Sequence, residues 1–107
     1  MKGKIEIDQT DIYGQTALFY AVAEGNFQMV KELLSLGANV NHVDSLEKET
    51  PIFYAVKENN LLMCKLLVEN NAEIQIINKR KKNPIATAEF LNLKDISAFL
   101  QQKRKDK

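Results

Sequence analysis

The side chains able to do chemistry are few and scattered. His42 is the single histidine and Cys64 the single cysteine. A catalytic or metal-binding role for His42 needs partners at suitable spacing, and none lies nearby, so it reads as an exposed turn residue. Cys64, flanked by Met63 and the pair Leu66-Leu67, reads as a small buried core residue with an inert thiol. The four glycines do not cluster into a phosphate-binding loop, and the acidic residues are spread singly. The expectation is no catalytic residue, no metal site and no cofactor. The sharpest local feature is Lys79-Arg80-Lys81-Lys82, with Lys103-Arg104-Lys105 further along. Such a run is an anion-binding finger for nucleic acid, anionic lipid (a phosphoinositide) or an acidic protein, a nuclear import signal, or a solvated turn. No aromatic residues are interleaved for base stacking, which counts against single-stranded nucleic acid.

The elements that must carry these residues amount to one domain of 107 residues. Residues 1–78 hold six Lys against eleven Asp and Glu, whereas residues 79–107 hold nine Lys and Arg against three acids. An acidic body therefore leads to a basic end. No apolar run reaches membrane-spanning length, and residues 1–10 lack a signal peptide's apolar stretch. A lone cysteine, unable to form an internal disulfide, suits a reducing intracellular compartment, cytoplasmic or nuclear.

Periodicity decides the architecture. TALFYAVAEGN begins at Thr16 and TPIFYAVKENN at Thr50; NPIATAEFLNL, a weaker copy, begins at Asn83. Behind them lie MVKELLSLGANVN from Met29, MCKLLVENNAEIQ from Met63 and ISAFLQQ from Ile96. Thr16, Thr50 and Asn83 are suited to cap helices, and Pro51 and Pro84 fall at the first helical position, where a missing N–H does no harm. Each first helix should end at Gly25, Asn59 or Asn92, types that accept a left-handed backbone. A second helix follows, with Met29, Val30, Leu33 and Leu34 at helical spacing, mirrored by Met63, Cys64, Leu67 and Val68. It closes on Gly37 or Asn71. Alanines 21, 55 and 88 keep the first helices slim. Helices this short are unstable alone, so the units must stack into an all-α solenoid, joined by extended hairpin-like turns.

These residues resemble the ankyrin repeat. The first unit matches its pattern at Asp11, Gly14, Thr16, Leu18, Ala21, Gly25, Val30, Lys31, Leu33, Leu34, Gly37, Ala38, Val40 and Asn41. The second matches at Asp44, Thr50, Pro51, Ala55, Lys65, Leu67 and Ala72, and the third at Pro84, Ala88, Ile96 and Leu100. The expected layout is repeat one at 11–43, repeat two at 44–77, a degenerate capping repeat at 78–101 and a basic tail at 102–107. Residues 1–10 would be the closing strand of a preceding repeat or an N-terminal extension. The chain then reads either as the end of a longer array or as a complete short protein whose first repeat serves as a cap. The histidine of the family pattern is replaced by Phe19 and Phe53, so apolar packing should stand in for a polar link between repeats. The second turn has one extra residue and no glycine, which predicts a longer, less regular tip at Ser45-Leu46-Glu47-Lys48. Lys81 takes the turn-glycine place in the third.

The resemblance implies a non-catalytic, monomeric module that binds another protein through its turn tips and the exposed edge of its first helices. Transferred position by position, the partner-binding surface comprises Ile12, Tyr13, Gln15, Ala23 and Glu24, then Leu46, Lys48, Lys57 and Glu58, then Phe90 and Leu91. Lys79, Arg80, Lys81 and Lys82 form the anion-binding alternative. Tyr13, Leu46, Phe90 and Leu91 stand out, because a purely solvated face has no need of them. Phe90 and Leu91 could equally tuck into the third repeat's own core. The resemblance also marks Asn41, with Leu33 eight residues earlier, as similar to the substrate of an asparaginyl hydroxylase.

Overall fold

A computed structural model describes residues 6–106. It contains α1 (Ala17–Ala23), α2 (Phe27–Ser35), α3 (Pro51–Lys57), α4 (Leu61–Glu69), α5 (Pro84–Phe90) and α6 (Lys94–Lys105). No strand occurs among the described residues. The six helices form three helix-turn-helix units. Helix α3 packs between α1 and α5, α4 meets α6, and the stack extends 47 Å with a 25 by 25 Å cross-section. One apolar core runs its length, from Leu18, Val22 and Val30 through Ile52, Val56, Met63, Cys64 and Leu67 to Ile85, Ala88, Ile96 and Leu100. Each unit buries its face on its neighbour, and Met29 shows the reverse: it is exposed on α2, while its counterpart Met63 is fully buried.

The breaks fall where the sequence puts them. Gly25, Asn59 and Asn92 end the first helices at φ of 71°, 54° and 63°, and Gly37 and Asn71 end α2 and α4 at 96° and 73°. The capping differs from expectation. Asn83 does cap α5, its side chain accepting from the Ala86 amide at 2.8 Å. Thr16 and Thr50 sit at the N-cap positions of α1 and α3 but make no capping hydrogen bond, and their buried hydroxyls have no partner among the described residues. Both threonines are almost wholly buried, so water does not reach the hydroxyls. The caps that are made elsewhere belong to Asn26 and Asn60, whose Oδ1 atoms accept from Met29 and Met63 at 3.1 Å.

The proposed strand at 1–10 lies partly outside the described residues. Within 6–10 there is a turn instead, with Ile7 packed on the core. Asp8 Oδ1 accepts from the Asn39 amide at 2.9 Å, and Asn41 Oδ1 accepts from the Glu73 amide at 2.8 Å. The two contacts are equivalent, since both donor and acceptor advance by one unit. Asp8 thus stands to the first unit as Asn41 stands to the second. At the other end, α6 carries Asp95 in its first turn and Lys103, Arg104 and Lys105 in its last, each charge suited to the helix dipole.

Candidate functional site

Each unit begins with a turn tip held by one side chain. Asp11 Oδ1 accepts from the amides of Tyr13 and Gln15 at 2.9 and 3.0 Å. Asp44 Oδ1 does the same for Glu47 and Glu49 at 3.3 and 3.0 Å, across the extra residue. In the third tip the role passes to Asn78, which accepts from Arg80 and Lys82 at 2.8 and 3.1 Å. Gly14 turns the first tip at φ 73°; Lys48 and Lys81 hold the same left-handed place at 59° and 66°. The tips are joined in a row: the Ser45 amide donates to the Tyr13 carbonyl and the Lys79 amide to the Glu47 carbonyl, each at 2.9 Å.

Behind the tips a polar seam crosses from unit to unit. Gln15 Nε2 donates to Asp44 Oδ2 at 3.1 Å and to the Tyr54 hydroxyl at 2.7 Å, and that hydroxyl donates to Asp44 Oδ2 at 2.7 Å. The Tyr54 ring also meets Phe19 edge-on at 5.5 Å, so one side chain joins the apolar packing at Phe19 to the polar seam. Burial, then the Asp44 hydrogen bond, push the Tyr54 phenol well above its ordinary value. Burial would raise Asp44 too, but the Glu49 amide, Tyr54 and Gln15 outweigh it and hold the carboxyl below its ordinary range. At the next junction, Asn78 Nδ2 donates to Glu49 Oε2 at 2.8 Å, and Lys57 pairs with Glu49 Oε1 at 2.5 Å.

The junction between units two and three opens into a groove of about 650 Å³, lined by Glu47, Glu49, Lys57, Asn78, Arg80, Lys82, Thr87, Phe90 and Leu91. That volume lies in the range of about 300–1,000 Å³ that ligand sites occupy. Phe90 is 75% exposed and Leu91 42%, so neither tucks into the core. Lys82 Nζ stands 5.2 Å from the Phe90 ring centre, and Arg80 Nε lies 3.5 Å from Glu47 Oε1.

The structure distributes the expected binding residues unevenly. Lys57, Phe90 and Leu91 come together in the groove with Arg80 and Lys82. Tyr13, Leu46 and Lys48 are exposed on the tips, and Ile12 is 87% exposed. Glu24 and Glu58 are exposed just past α1 and α3, and Ala23 is half-buried. Gln15 is corrected: it is buried, and its amide is engaged in the seam. In the basic run Arg80 pairs with Glu47, Lys82 leans on Phe90, and the exposed Lys79 and Lys81 have no ion pair among the described residues. Asn41 lies away from the groove, donating to the Asn71 carbonyl at 3.1 Å and accepting from Glu73. His42 is half-buried, its ring 6.2 Å from Phe19. Cys64 is fully buried, and burial pushes its thiol up to about 12. Asn78, Glu49 and Thr87 escaped the sequence reading, although aligning Asp11, Asp44 and Asn78 down the repeat would have marked the first of them.

A short solenoid of helix pairs, with aligned tips and a groove on one side, defines a helical repeat protein. A family model described as Ankyrin repeats (3 copies) matches residues 2–78, and the chain belongs to that family. Ankyrin repeats are generally protein-interaction modules and typically non-catalytic. The chain is also similar to Ankyrin repeat domain-containing protein 29 of Danio rerio, with 41% identity over 39 residues. That stretch is 36% of this chain and spans 13% of the relative's length. The family match ends ahead of α5, yet α5 stacks on α3 as α3 does on α1. No group of His, Cys, Asp and Glu among the described residues is arranged to hold a metal, and no described helix is long and apolar enough to cross a membrane.

Proposed function

We propose that this chain binds a protein partner through the groove between its second and third units and the tip row beside it, acting as a monomeric, non-catalytic adaptor inside the cell. The observation that carries this reading is the exposure of Phe90 and Leu91 at the rim of the groove, ringed by Lys57, Arg80 and Lys82. Clustered apolar side chains within a charged rim are the usual anatomy of a binding hot spot. Pairing of Arg80 with Glu47, and of Lys82 with Phe90, favours this over a free anion-binding finger. A photo-crosslinking side chain placed at Leu91 should capture the partner in cells, whereas the same group at Leu62, 65% exposed on α4, should not. Equal capture at both positions, or capture at Leu62 alone, overturns the proposal.

A further inference from the structure

We infer that the groove is a tyrosine slot, and that its occupant is an acidic segment of a partner protein that inserts a tyrosine side chain. The inference rests on the proposed protein-binding role and specifies its chemistry. Tyr54 and Thr87 are each the fourth residue of their helices, α3 and α5. Between units one and two, the Tyr54 ring fills the junction, its hydroxyl held by Gln15 and Asp44. Between units two and three the corresponding pair is Glu49 and Asn78, and Thr87 is too short to reach it; its hydroxyl donates instead to the Asn83 carbonyl at 3.0 Å. The space beside Thr87 is the groove.

The lining suits a phenol. Glu49 offers a carboxylate whose oxygens each accept one bond, from Lys57 and Asn78, which leaves lone pairs for a hydroxyl donor. Lys57 supplies a cation that already stands 4.9 Å from the Tyr54 ring centre. Phe90 and Leu91 extend the apolar wall toward solvent, where the partner's backbone would run. Lys82 lines that mouth, Arg80 there is paired with Glu47, and the exposed Lys79 and Lys81 adjoin them in the same tip, giving a positive side to which acidic residues flanking the tyrosine are complementary.

The test uses the full chain, ¹⁵N-labelled, and the peptide acetyl-Glu-Glu-Tyr-Leu-Glu-amide, with versions carrying Phe or Ala in place of Tyr. The Tyr peptide should shift the amides of Lys82, Thr87 and Leu91 saturably. It should bind about tenfold more tightly than the Ala version and more tightly than the Phe version, which forgoes the hydroxyl's added bond to Glu49. Thr87→Tyr should fill the slot from within, raise the melting temperature and lower affinity for the peptide by about tenfold or more. Should that variant fold poorly, Phe90→Ala removes a wall that is mostly solvent-exposed and should also weaken the peptide. Equal binding of the Tyr and Ala peptides, no binding, or binding that survives both variants overturns the inference. A concentration-dependent dimer abolished by Thr87→Tyr would assign the slot to a second copy and overturn it too. If the peptides fail while Leu91 crosslinking still captures a partner, the slot is wrong and the interaction surface stands; if both fail, both are wrong.

Discussion

Asn78 donates its side-chain amide to the Glu49 carboxylate at 2.8 Å, and this contact is the mirror of the Gln15 to Asp44 bond one unit earlier, with donor and acceptor exchanged. Gln15 and Glu49 each precede the helix-opening threonine, and Asp44 and Asn78 each hold the next tip. Amide and acid have traded places, while the seam between units is kept.

Asn78→Asp should therefore be costly alone, since it sets two carboxylates against each other where both positions are buried. A loss of about 1–3 kcal/mol is expected in urea unfolding. Glu49→Gln added to Asn78→Asp recreates the first junction and should recover a large part of it. Additive losses in the double variant would show that the two side chains are not coupled.

The helix starts were legible in the sequence because Pro51, Pro84 and the left-handed Gly25, Asn59 and Asn92 act locally. The capping was not. Thr16 and Thr50 have the right type and place, but burial against the neighbouring unit turns their hydroxyls inward, which no local rule anticipates. Gln15 looked like a surface residue for the same reason: its partners, Asp44 and Tyr54, come from the next unit. The groove depends on what is missing at Thr87, and only an alignment of Tyr20, Tyr54 and Thr87 could have suggested it.

Thr50→Val tests the correction. A threonine cap is worth about 1 kcal/mol, so a working cap would make the variant less stable. Here the hydroxyl is buried without a partner, and exchanging it for a methyl should leave the denaturation midpoint unchanged or raised. A clear fall would restore the capping role.

The left-handed tip positions respond oppositely to glycine and alanine. At Gly14 an added Cβ would lie 2.5 Å from Ser45 Oγ and 2.9 Å from the Ser45 amide nitrogen, so Gly14→Ala should destabilise the fold by about 2 kcal/mol. Lys81, at φ 66°, carries the left-handed penalty of about 1–2 kcal/mol, offset in part by the entropy a glycine loses. Lys81→Gly should thus be neutral or gain up to about 1 kcal/mol. Thermal melts of the two variants moving in the same direction would contradict the assignment of these tips.

Acid should loosen the first seam. The folded-state pKa of Asp44 is lowered from its ordinary value of 3.8, chiefly by hydrogen bonds that outweigh its burial. Its contribution is complete above that value and is lost as pH falls through the lower folded pKa, because the protonated acid no longer accepts from Gln15 and Tyr54 as a carboxylate does. Asp44→Asn removes the titration, so its stability should be lower at neutral pH and change less below pH 3.8 than that of the unaltered chain. Parallel acid-unfolding curves would show that Asp44 does not contribute to the pH dependence.

The basic rim and the apolar wall can be separated by salt. Lys79→Glu with Lys81→Glu reverses two charges that hold no core contact, so folding should move by only a few tenths of a kcal/mol per site. Arg80 is left in place, because its reversal would set a carboxylate against Glu47 and confuse the result. If the rim steers an acidic partner, affinity falls in the double variant at low ionic strength. Most of that loss disappears near 1 M salt, where the Debye length shrinks to about 3 Å. Phe90→Ala acts through contact area and should lose about tenfold in affinity at either salt concentration. Binding that collapses with salt and ignores Phe90 would shift the interaction from the groove to the lysines; binding that ignores both would place it elsewhere on the solenoid.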